Sequence, residues 1–262
     1  MNVPLLDLKR QYHKIRDEIE PVVISIMESQ WFINGPVVKR FEENFAKHCG
    51  TKYAVGASSG TDALIMSLTA LGVTCGDEVI TTPFTFFATV EAIIRVGATP
   101  VFVDIDENTF NMNTKHLEDV VTEKTRAIIP VHLFGQCCNM DDIKQFADKY
   151  DLFIIEDAAQ AIGAQWNGKN AGSMGTAGCF SFFPSKNLGG FGDGGIVTTN
   201  NEELYNKMLR TRQHGIDMKN PYHYEHIGGN FRLDALQAGV LDIKLKYIDE
   251  WQSMRRSNAK YY

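Results

Sequence analysis

The sequence near its middle reads Leu152-Phe153-Ile154-Ile155-Glu156-Asp157, four apolar residues followed by two acids. A short apolar run without alternation is typical of a strand that is buried on both faces of a parallel sheet. Similar strand-like segments alternate with segments of helical periodicity over most of the chain. The sequence therefore predicts an α/β protein with three αβα layers, in which helices cover both faces of a mostly parallel central sheet.

The predicted elements set out where functional residues should lie. Besides 152–155, strands are predicted at 53–57, 78–81, 99–103, 126–131, 178–183 and 195–198. Helices are predicted at 61–71, 85–96, 114–121, 141–150 and 202–212, and one long helix is predicted over 233–262. Ligands of open parallel sheets bind beyond the carboxyl ends of the strands, so candidate site residues are sought there.

The composition is that of an ordinary globular enzyme, with 44% hydrophobic and 22% charged residues. The 26 basic and 32 acidic side chains give a net charge of −6, so we expect no nucleic-acid partner. No apolar run is long enough to span a bilayer, and the N-terminus lacks a signal-peptide pattern, so we expect a cytoplasmic protein without a membrane partner. Five cysteines without C-x-x-C or zinc spacing are expected to be reduced thiols, with no metal site.

Lys186 is the candidate catalytic residue. It stands in the run Phe182-Phe183-Pro184-Ser185-Lys186-Asn187-Leu188-Gly189-Gly190, between an apolar strand and a glycine-rich turn. Partial loss of water lowers the pKa of an amine, and this is how a lysine becomes nucleophilic enough to form a Schiff base. The same pattern is also typical of an ordinary loop lysine, so the interpretation depends on the residues around it.

Three further features lie at predicted strand ends. The small residues 58–62 open a helix, and a helix N-terminus offers free N–H groups to an anion, although the same residues are common N-caps. Glu156 and Asp157 either place a carboxylate at the active edge or form a solvated strand end. The aromatic residues within 82–87 either pack into the core or stack on a flat ligand. Ser181, five residues before Lys186, could reach the same anion as the turn at 58–62.

One cofactor uses all of these groups at once. Pyridoxal 5′-phosphate carries a phosphate, a pyridine nitrogen, a flat ring and an aldehyde. A carboxylate keeps the pyridine nitrogen protonated, so that the ring accepts electrons, and a lysine binds the aldehyde and later moves protons. The four features together therefore predict a pyridoxal-phosphate enzyme.

Five motifs occur in a characteristic order: S-G-T-D-A-L at 59–64, T-P-F-T-F at 82–86, E-D-A-A-Q at 156–160, F-F-P-S-K-N-L-G at 182–189 and G-G-N-F-R at 228–232. Together they resemble the DegT/DnrJ/StrS family of pyridoxal-phosphate-dependent sugar-nucleotide aminotransferases, from residue 4 to the end of the chain. The resemblance implies the aspartate-aminotransferase (type I) fold. It also implies transfer of an amino group, with L-glutamate as donor, to a keto group on a nucleotide-linked sugar.

The resemblance also implies roles for individual residues. Lys186 resembles the Schiff-base lysine, and Asp157 resembles the partner of the pyridine nitrogen. Gln160 matches a residue near the phenolic oxygen of the cofactor, and Phe86 matches the ring-stacking position. Asn230 resembles an asparagine that reaches the phosphate from the second subunit, which implies a homodimer with shared active sites. The cofactor contacts expected from the matched motifs are Gly60, Thr61, Asp62, Phe86, Asp157, Gln160, Ser181, Lys186 and Asn230.

The substrate and the domain organisation are expectations from the same resemblance. The segment 182–195, which ends in Gly192-Asp193-Gly194-Gly195, is most similar to the corresponding segment of members that act on 3-keto sugars, although 4-keto enzymes have related loops. The amino sugar would serve lipopolysaccharide, capsule or glycan synthesis. We expect residues 1–240 to form the large cofactor-binding domain. Residues 241–262 should begin a long helix that leads to a small C-terminal domain missing from this chain, which leaves its activity open.

Two alternatives remain at this stage. The family includes pyridoxal-phosphate-dependent sugar dehydratases, which have histidine at the position of the lysine, and Lys186 argues against that branch. A non-catalytic homologue that serves regulation or assembly is the other alternative. The complete set of Lys186, Asp157 and Ser181 favours an enzyme over it.

Overall fold

A computed structural model describes residues 6–262, so the first five residues of the predicted large domain lie outside it. In the described residues eleven strands, β1 to β11, lie in chain order at Tyr53–Ala57, Glu78–Thr81, Thr99–Phe102, Thr125–Ile128, Phe153–Asp157, Gln165–Trp166, Lys169–Asn170, Ala177–Ser181, Gly195–Thr199, Ile216–Asp217 and Asn220–Tyr224. Over the same residues eight α-helices, α1 to α8, lie at Leu8–Ser29, Gly35–Cys49, Gly60–Ala70, Phe87–Arg95, Met140–Tyr150, Glu202–Thr211, Ala235–Leu245 and Ile248–Tyr261.

Seven strands form the central sheet, in the order β1-β9-β8-β5-β4-β2-β3. Neighbouring strands are parallel throughout, except that β9 runs antiparallel to both β1 and β8. The prediction of a mostly parallel sheet is confirmed. Because six of the seven strands point the same way, the chain leaves β1, β2, β4, β5 and β8 at one common edge.

Helices cover both faces of the sheet. Successive side chains of a strand point to opposite faces, and β5 and β8 both show this. In β5, Ile154 packs with residues of α5, whereas Ile155 packs with residues of α3 and α4. In β8, Phe180 packs on Phe45 of α2 with ring centroids 5.1 Å apart, whereas Cys179 faces α3. The prediction of a three-layer αβα arrangement is therefore confirmed.

The prediction of a helix over 114–121 is wrong. Only Thr114–His116 is helical, as one 3₁₀ turn. The N–H groups of Asp119 and Val120 also bond to carbonyls three residues back, so the segment continues as tight turns and not as an α-helix. Two successive β-branched residues, Val120 and Val121, disfavour the helix, and Leu117 anchors the segment in the core at 1% exposure.

The single helix predicted over 233–262 is divided in two. α7 ends at Leu245 and α8 begins at Ile248, and the N–H groups of Lys246 and Tyr247 bond to carbonyls three residues back. Nearly all of α7 is buried between α1 and α2, whereas α8 buries only Ile248 and Gln252. The change of direction keeps the apolar helix in the core and leaves the polar one at the surface.

Several elements were not predicted. The amphipathic helices α1 and α2 precede the first predicted strand, and α1 buries Ile15, Ile19 and Ile26. β10 and β11 form a hairpin within 216–224, and β6 and β7 form a smaller one. No helix within residues 6–262 combines the length and the apolar character that crossing a bilayer requires.

Candidate active site

A cavity of about 420 Å³ opens at the carboxyl edge of the sheet, where β5 ends at Asp157 and β8 ends at Ser181. This volume lies within the range of about 300–1,000 Å³ that is usual for small-molecule sites. The predicted cofactor contacts that line it are Gly60, Thr61, Phe86, Asp157, Gln160, Ser181 and Lys186. The structure thus brings together seven of the nine residues predicted from motifs far apart in the sequence.

The N-terminus of α3 forms an anion cradle. The hydroxyl of Ser59 caps the helix by accepting the N–H of Asp62 at 3.0 Å. The N–H groups of Gly60 and Thr61, in the first turn, have no intrahelical partner, and both residues line the cavity. Ser181 lies directly against this turn, because a Cβ added to Gly60 would stand 2.7 Å from the Cβ of Ser181. Only glycine allows so close an approach, and the result is a helix N-terminus of the kind that can accept a phosphate.

Asp62 and Asn230 lie outside the cavity lining. The carboxylate of Asp62 accepts the hydroxyl of Ser58 at 2.6 Å, so within this subunit it stabilises the cradle turn. Asn230 is exposed, and its neighbour Phe231 accepts the N–H of Ser58 at 2.9 Å. The segment with Asn230 is therefore tied to the outside of the cradle. The predictions that both residues contact the cofactor, and that Asn230 does so in a second subunit, stay predictions.

Asp157 is a buried carboxylate at the end of β5, with 7% exposure. Its Oδ2 accepts the hydroxyl of Thr89 at 2.7 Å, and its Oδ1 accepts the N–H of Ala159 at 3.2 Å. In residues 6–262 the buried carboxylates of Glu42 and Asp242 each pair with an arginine within 4 Å, and Glu156 pairs with His132, whereas Asp157 has no basic side chain within that distance. Burial raises the pKa of Asp157, and these hydrogen bonds only partly oppose it.

Glu156, the preceding acid, points away from the cavity. One carboxylate oxygen accepts the N–H groups of Met174 and Gly175, at 2.8 and 2.7 Å. The other accepts the N–H of Gly172 at 2.8 Å and pairs with Nε2 of His132 at 2.9 Å. Since Nδ1 of His132 accepts the N–H of Cys138, Nε2 carries the proton that is donated to Glu156. Glu156 therefore organises the surrounding loops, while Asp157 is the acid that lines the cavity.

Lys186 also lines the cavity, from the loop that follows β8, and is half-buried. Burial lowers the pKa of its amine, and the negative charge of Asp157 acts in the opposite direction. No ion pair in the described chain involves Lys186. A lysine with less water and no carboxylate in contact has the properties that nucleophilic attack on an aldehyde requires.

Phe86 and Gln160 complete the lining from two further loops. Phe86 stands at the N-cap of α4 and is 73% exposed, so its ring is available to a flat ligand. The side-chain oxygen of Gln160 accepts the N–H of Phe134 at 3.1 Å, which leaves its amide nitrogen free to donate. His132 both lines the cavity and is fully buried.

Thr89 is a site residue that sequence reasoning missed. Its hydroxyl bonds to Asp157 and also pairs with the hydroxyl of Thr85 at 2.8 Å. Thr85 lies in the turn that precedes α4, and Thr89 lies in the first turn of that helix, so helical spacing in the sequence does not account for their contact. The hydroxyl pair orients the carboxylate towards the cavity.

The groups around the cavity fit pyridoxal 5′-phosphate. The glycine cradle suits a phosphate, and the carboxylate without a cation suits a protonated ring nitrogen. The desolvated amine of Lys186 suits the aldehyde, and Phe86 suits the flat ring. These groups, at the carboxyl edge of this sheet, define the class of pyridoxal-phosphate-dependent enzymes.

The chain belongs to the DegT/DnrJ/EryC1/StrS aminotransferase family, whose sequence profile matches residues 13–262. A relative from Geobacillus stearothermophilus, named pleiotropic regulatory protein, is 50% identical over 263 residues, which cover 100% of this chain and 70% of the relative. A relative from Acidithiobacillus ferrooxidans, named UDP-N-acetyl-3-dehydro-alpha-D-glucosamine 3-aminotransferase, is 45% identical over 260 residues, which cover 99% of this chain and 70% of the relative.

Two solved structures show the same fold. The crystal structure of DesV from S. venezuelae superposes with a TM-score of 0.94 and 41% identity, covering 97% of this chain and 68% of that one. The ntdA protein of Bacillus subtilis, crystallised with bound PMP, superposes with a TM-score of 0.88 and 34% identity, covering 94% of this chain and 56% of that one. The predictions of the family, the type I fold and pyridoxal phosphate as cofactor are confirmed, and the protein is an aminotransferase.

Proposed function

We propose that this protein transfers an amino group from L-glutamate to the keto carbon of a nucleotide-linked sugar. The observation that carries the proposal is the meeting of Lys186, Asp157 and the Gly60 cradle around one cavity. The relative from Acidithiobacillus ferrooxidans, named a 3-aminotransferase of a UDP-linked sugar, supports the sugar-nucleotide substrate and favours the 3-keto position. A 4-keto sugar is the alternative acceptor.

Each group has one task in this reaction. Bound pyridoxal phosphate supplies an electron sink for the transfer of the amino group. Lys186 would hold the aldehyde of the cofactor and, once an incoming amine displaces it, would serve as the base that carries a proton. Asp157 holds a proton on the ring nitrogen, and the burial of this carboxylate strengthens the contact. The N–H groups of Gly60 and Thr61, with the hydroxyl of Ser181, hold the phosphate.

A regulatory role is a second candidate, because the relative at 50% identity is named a regulatory protein. A protein that only regulates would not need a desolvated amine and a buried carboxylate in the lining of one cavity. Those two groups favour catalysis in this chain. The lysine at position 186, where sugar dehydratases have histidine, weighs against a dehydratase.

We further propose a homodimer in which Asn230 reaches the phosphate in the partner's cavity. The exposure of Asn230, outside the cavity of its own subunit, supports this arrangement. In the same proposal Asp62 acts on the cofactor through the cradle turn. A cytoplasmic location, and a product that enters lipopolysaccharide or another surface polysaccharide, complete the proposed function. The large domain over 1–240 is part of the same proposal.

The function is tested with purified protein that is loaded with pyridoxal phosphate and mixed with L-glutamate and a panel of nucleotide-linked 3-keto and 4-keto sugars. We expect a yellow protein, 2-oxoglutarate as co-product and an amino sugar from a 3-keto acceptor. Lys186→Ala is the control, because it keeps the cradle and Asp157 but removes the amine. A wild-type protein that stays colourless with pyridoxal phosphate contradicts the cofactor assignment for Lys186. A yellow protein that aminates none of the sugars contradicts the substrate class alone.

A further inference from the structure

The lysine loop, residues 182–194, carries Lys186 between β8 and β9 and is closed by hydrogen bonds near its base. The N–H of Phe182 donates to the carbonyl of Gly194 at 2.8 Å, and the N–H of Gly190 donates to the carbonyl of Phe182 at 2.7 Å. The N–H of Lys186 donates to the carbonyl of Phe183 at 2.8 Å. The base of the loop and the turn before Lys186 are therefore fixed from within the loop.

Two side chains of α7 hold the half of the lysine loop that follows Lys186. The side-chain oxygen of Gln237 accepts the N–H of Phe191 at 2.8 Å. The ammonium of Lys244 donates to the carbonyl of Gly189 at 2.6 Å. Seven residues correspond to two helical turns, so both side chains lie on one face of α7. The loop backbone lies close to that face, because a Cβ at Gly190 would stand 2.8 Å from the oxygen of Gln237.

Lys244 is an unusual residue for the core. It is 2% exposed, and its Nζ lies 4.6 Å from the centre of the Phe191 ring. Burial lowers the pKa of Lys244 to about 8, and in the described chain no carboxylate opposes this effect. A buried ammonium without a carboxylate is costly, and a methionine would fill the same space without that cost. The carbonyl of Gly189 and the ring of Phe191, both in the lysine loop, are the groups that compensate it.

We propose that Lys244, assisted by Gln237, is a positioning residue that holds the lysine loop and thereby sets where the amine of Lys186 enters the cavity. Lys244 acts through the carbonyl of Gly189, three residues after Lys186. A displacement of about 1 Å in a reacting group can cost about 100-fold in rate, so a loosened loop slows the reaction of the amine. The inference rests on the proposed role of Lys186 as the residue that binds the cofactor.

The experiment compares Lys244→Met with Lys246→Met and wild type. Met keeps most of the apolar stem of the side chain at 244 and removes its ammonium, whereas Lys246 is largely exposed and pairs at the surface with Glu18. Each protein, freed of cofactor, is mixed with pyridoxal phosphate, and the rate at which the yellow absorbance develops is measured across pH. We expect Lys244→Met to react at least about 10-fold more slowly and with a shifted pH midpoint, and Lys246→Met to match wild type.

The melting temperature without cofactor is measured alongside, since a structural role alone would lower it without changing the pH midpoint of the reaction. If Lys244→Met does not fold, Gln237→Met takes its place, because it leaves the buried ammonium intact and removes only the acceptor for Phe191. A folded variant that reacts with pyridoxal phosphate as wild type does, at the same pH midpoint, overturns the inference. A wild-type protein that does not react at Lys186 overturns the proposed function instead.

Discussion

Replacing Asp157 with Asn should maintain or raise the stability of the cofactor-free protein, and it should lower the affinity of the protein for its cofactor. Asn has the shape of Asp, and its oxygen can still accept the N–H of Ala159. Its NH₂ group can donate to Thr89, because the Thr89 and Thr85 hydroxyls form a pair in which either can be the donor. The substitution thus removes a buried charge without leaving a polar atom unpaired. The cofactor-free protein should be at least as stable as wild type.

The cofactor-bound protein should lose affinity by a calculable amount. A hydrogen bond to a charged group contributes about 1.5–3 kcal/mol, and the contact between Asp157 and the ring nitrogen belongs to this kind. At about 1.4 kcal/mol for each factor of ten, Asp157→Asn should bind pyridoxal phosphate about 10- to 150-fold more weakly. Titration of the absorbance, with melting temperatures at several cofactor concentrations, measures both effects. Asp148→Asn, an exposed change of equal charge on α5, is the control.

The pH dependence of stability follows from the raised pKa of Asp157. The folded, cofactor-free protein keeps the proton of Asp157 at pH values where the unfolded chain has already released it. Unfolding therefore releases a proton, and the free energy of unfolding of wild type falls as pH rises from the ordinary Asp pKa through the raised one. The free energy of unfolding of Asp157→Asn lacks this decline. The stability of the variant relative to wild type should therefore grow over that pH window and then level off. Equal cofactor affinity, or a less stable cofactor-free variant, would refute this account of Asp157.

Two further predictions concern the cradle and the neighbouring acid. Gly60→Ala places a Cβ 2.7 Å from that of Ser181, so it should cost about 1–3 kcal/mol in the free energy of urea unfolding. It should also lower the ratio of the affinity for pyridoxal phosphate to the affinity for pyridoxal. An unchanged ratio would contradict the proposal that the turn binds the phosphate. Glu156→Gln turns an NH₂ group towards backbone donors such as Gly172 or Gly175, so we expect about 1–3 kcal/mol of lost stability in urea unfolding. The absorbance of the bound cofactor should stay as in wild type, and a shifted absorbance would place Glu156 in the cofactor's surroundings.

Much of the fold could be predicted because its signals are local. The strand at Phe153–Asp157 begins within the continuous apolar run 152–155, and the strand at Gly195–Thr199 follows a glycine-rich turn. The rule that ligands bind at the carboxyl ends of parallel strands then placed Asp157 and Ser181 together. In contrast, the segment 114–121 carries enough apolar residues for a helix, but the burial of Leu117 and the turns after it decide the outcome. Tertiary packing overrode local preference there.

The family resemblance singled out Asp157, but the local pattern alone does not separate the two acids, because Glu156 and Asp157 look equivalent at the end of one strand. The pleat separates them, since neighbouring side chains of a strand point to opposite faces. Glu156 meets backbone N–H groups of residues 172–175, contacts that depend on how a distant loop returns to β5. Asp157 accepts the hydroxyl of Thr89 and lines the open cavity, so part of its hydrogen-bonding capacity is left for a ligand. A carboxylate whose lone pairs all accept hydrogen bonds within the protein stabilises the fold. A carboxylate with a lone pair left over can still bind a ligand. The pleat of one strand thus gives two adjacent acids separate tasks.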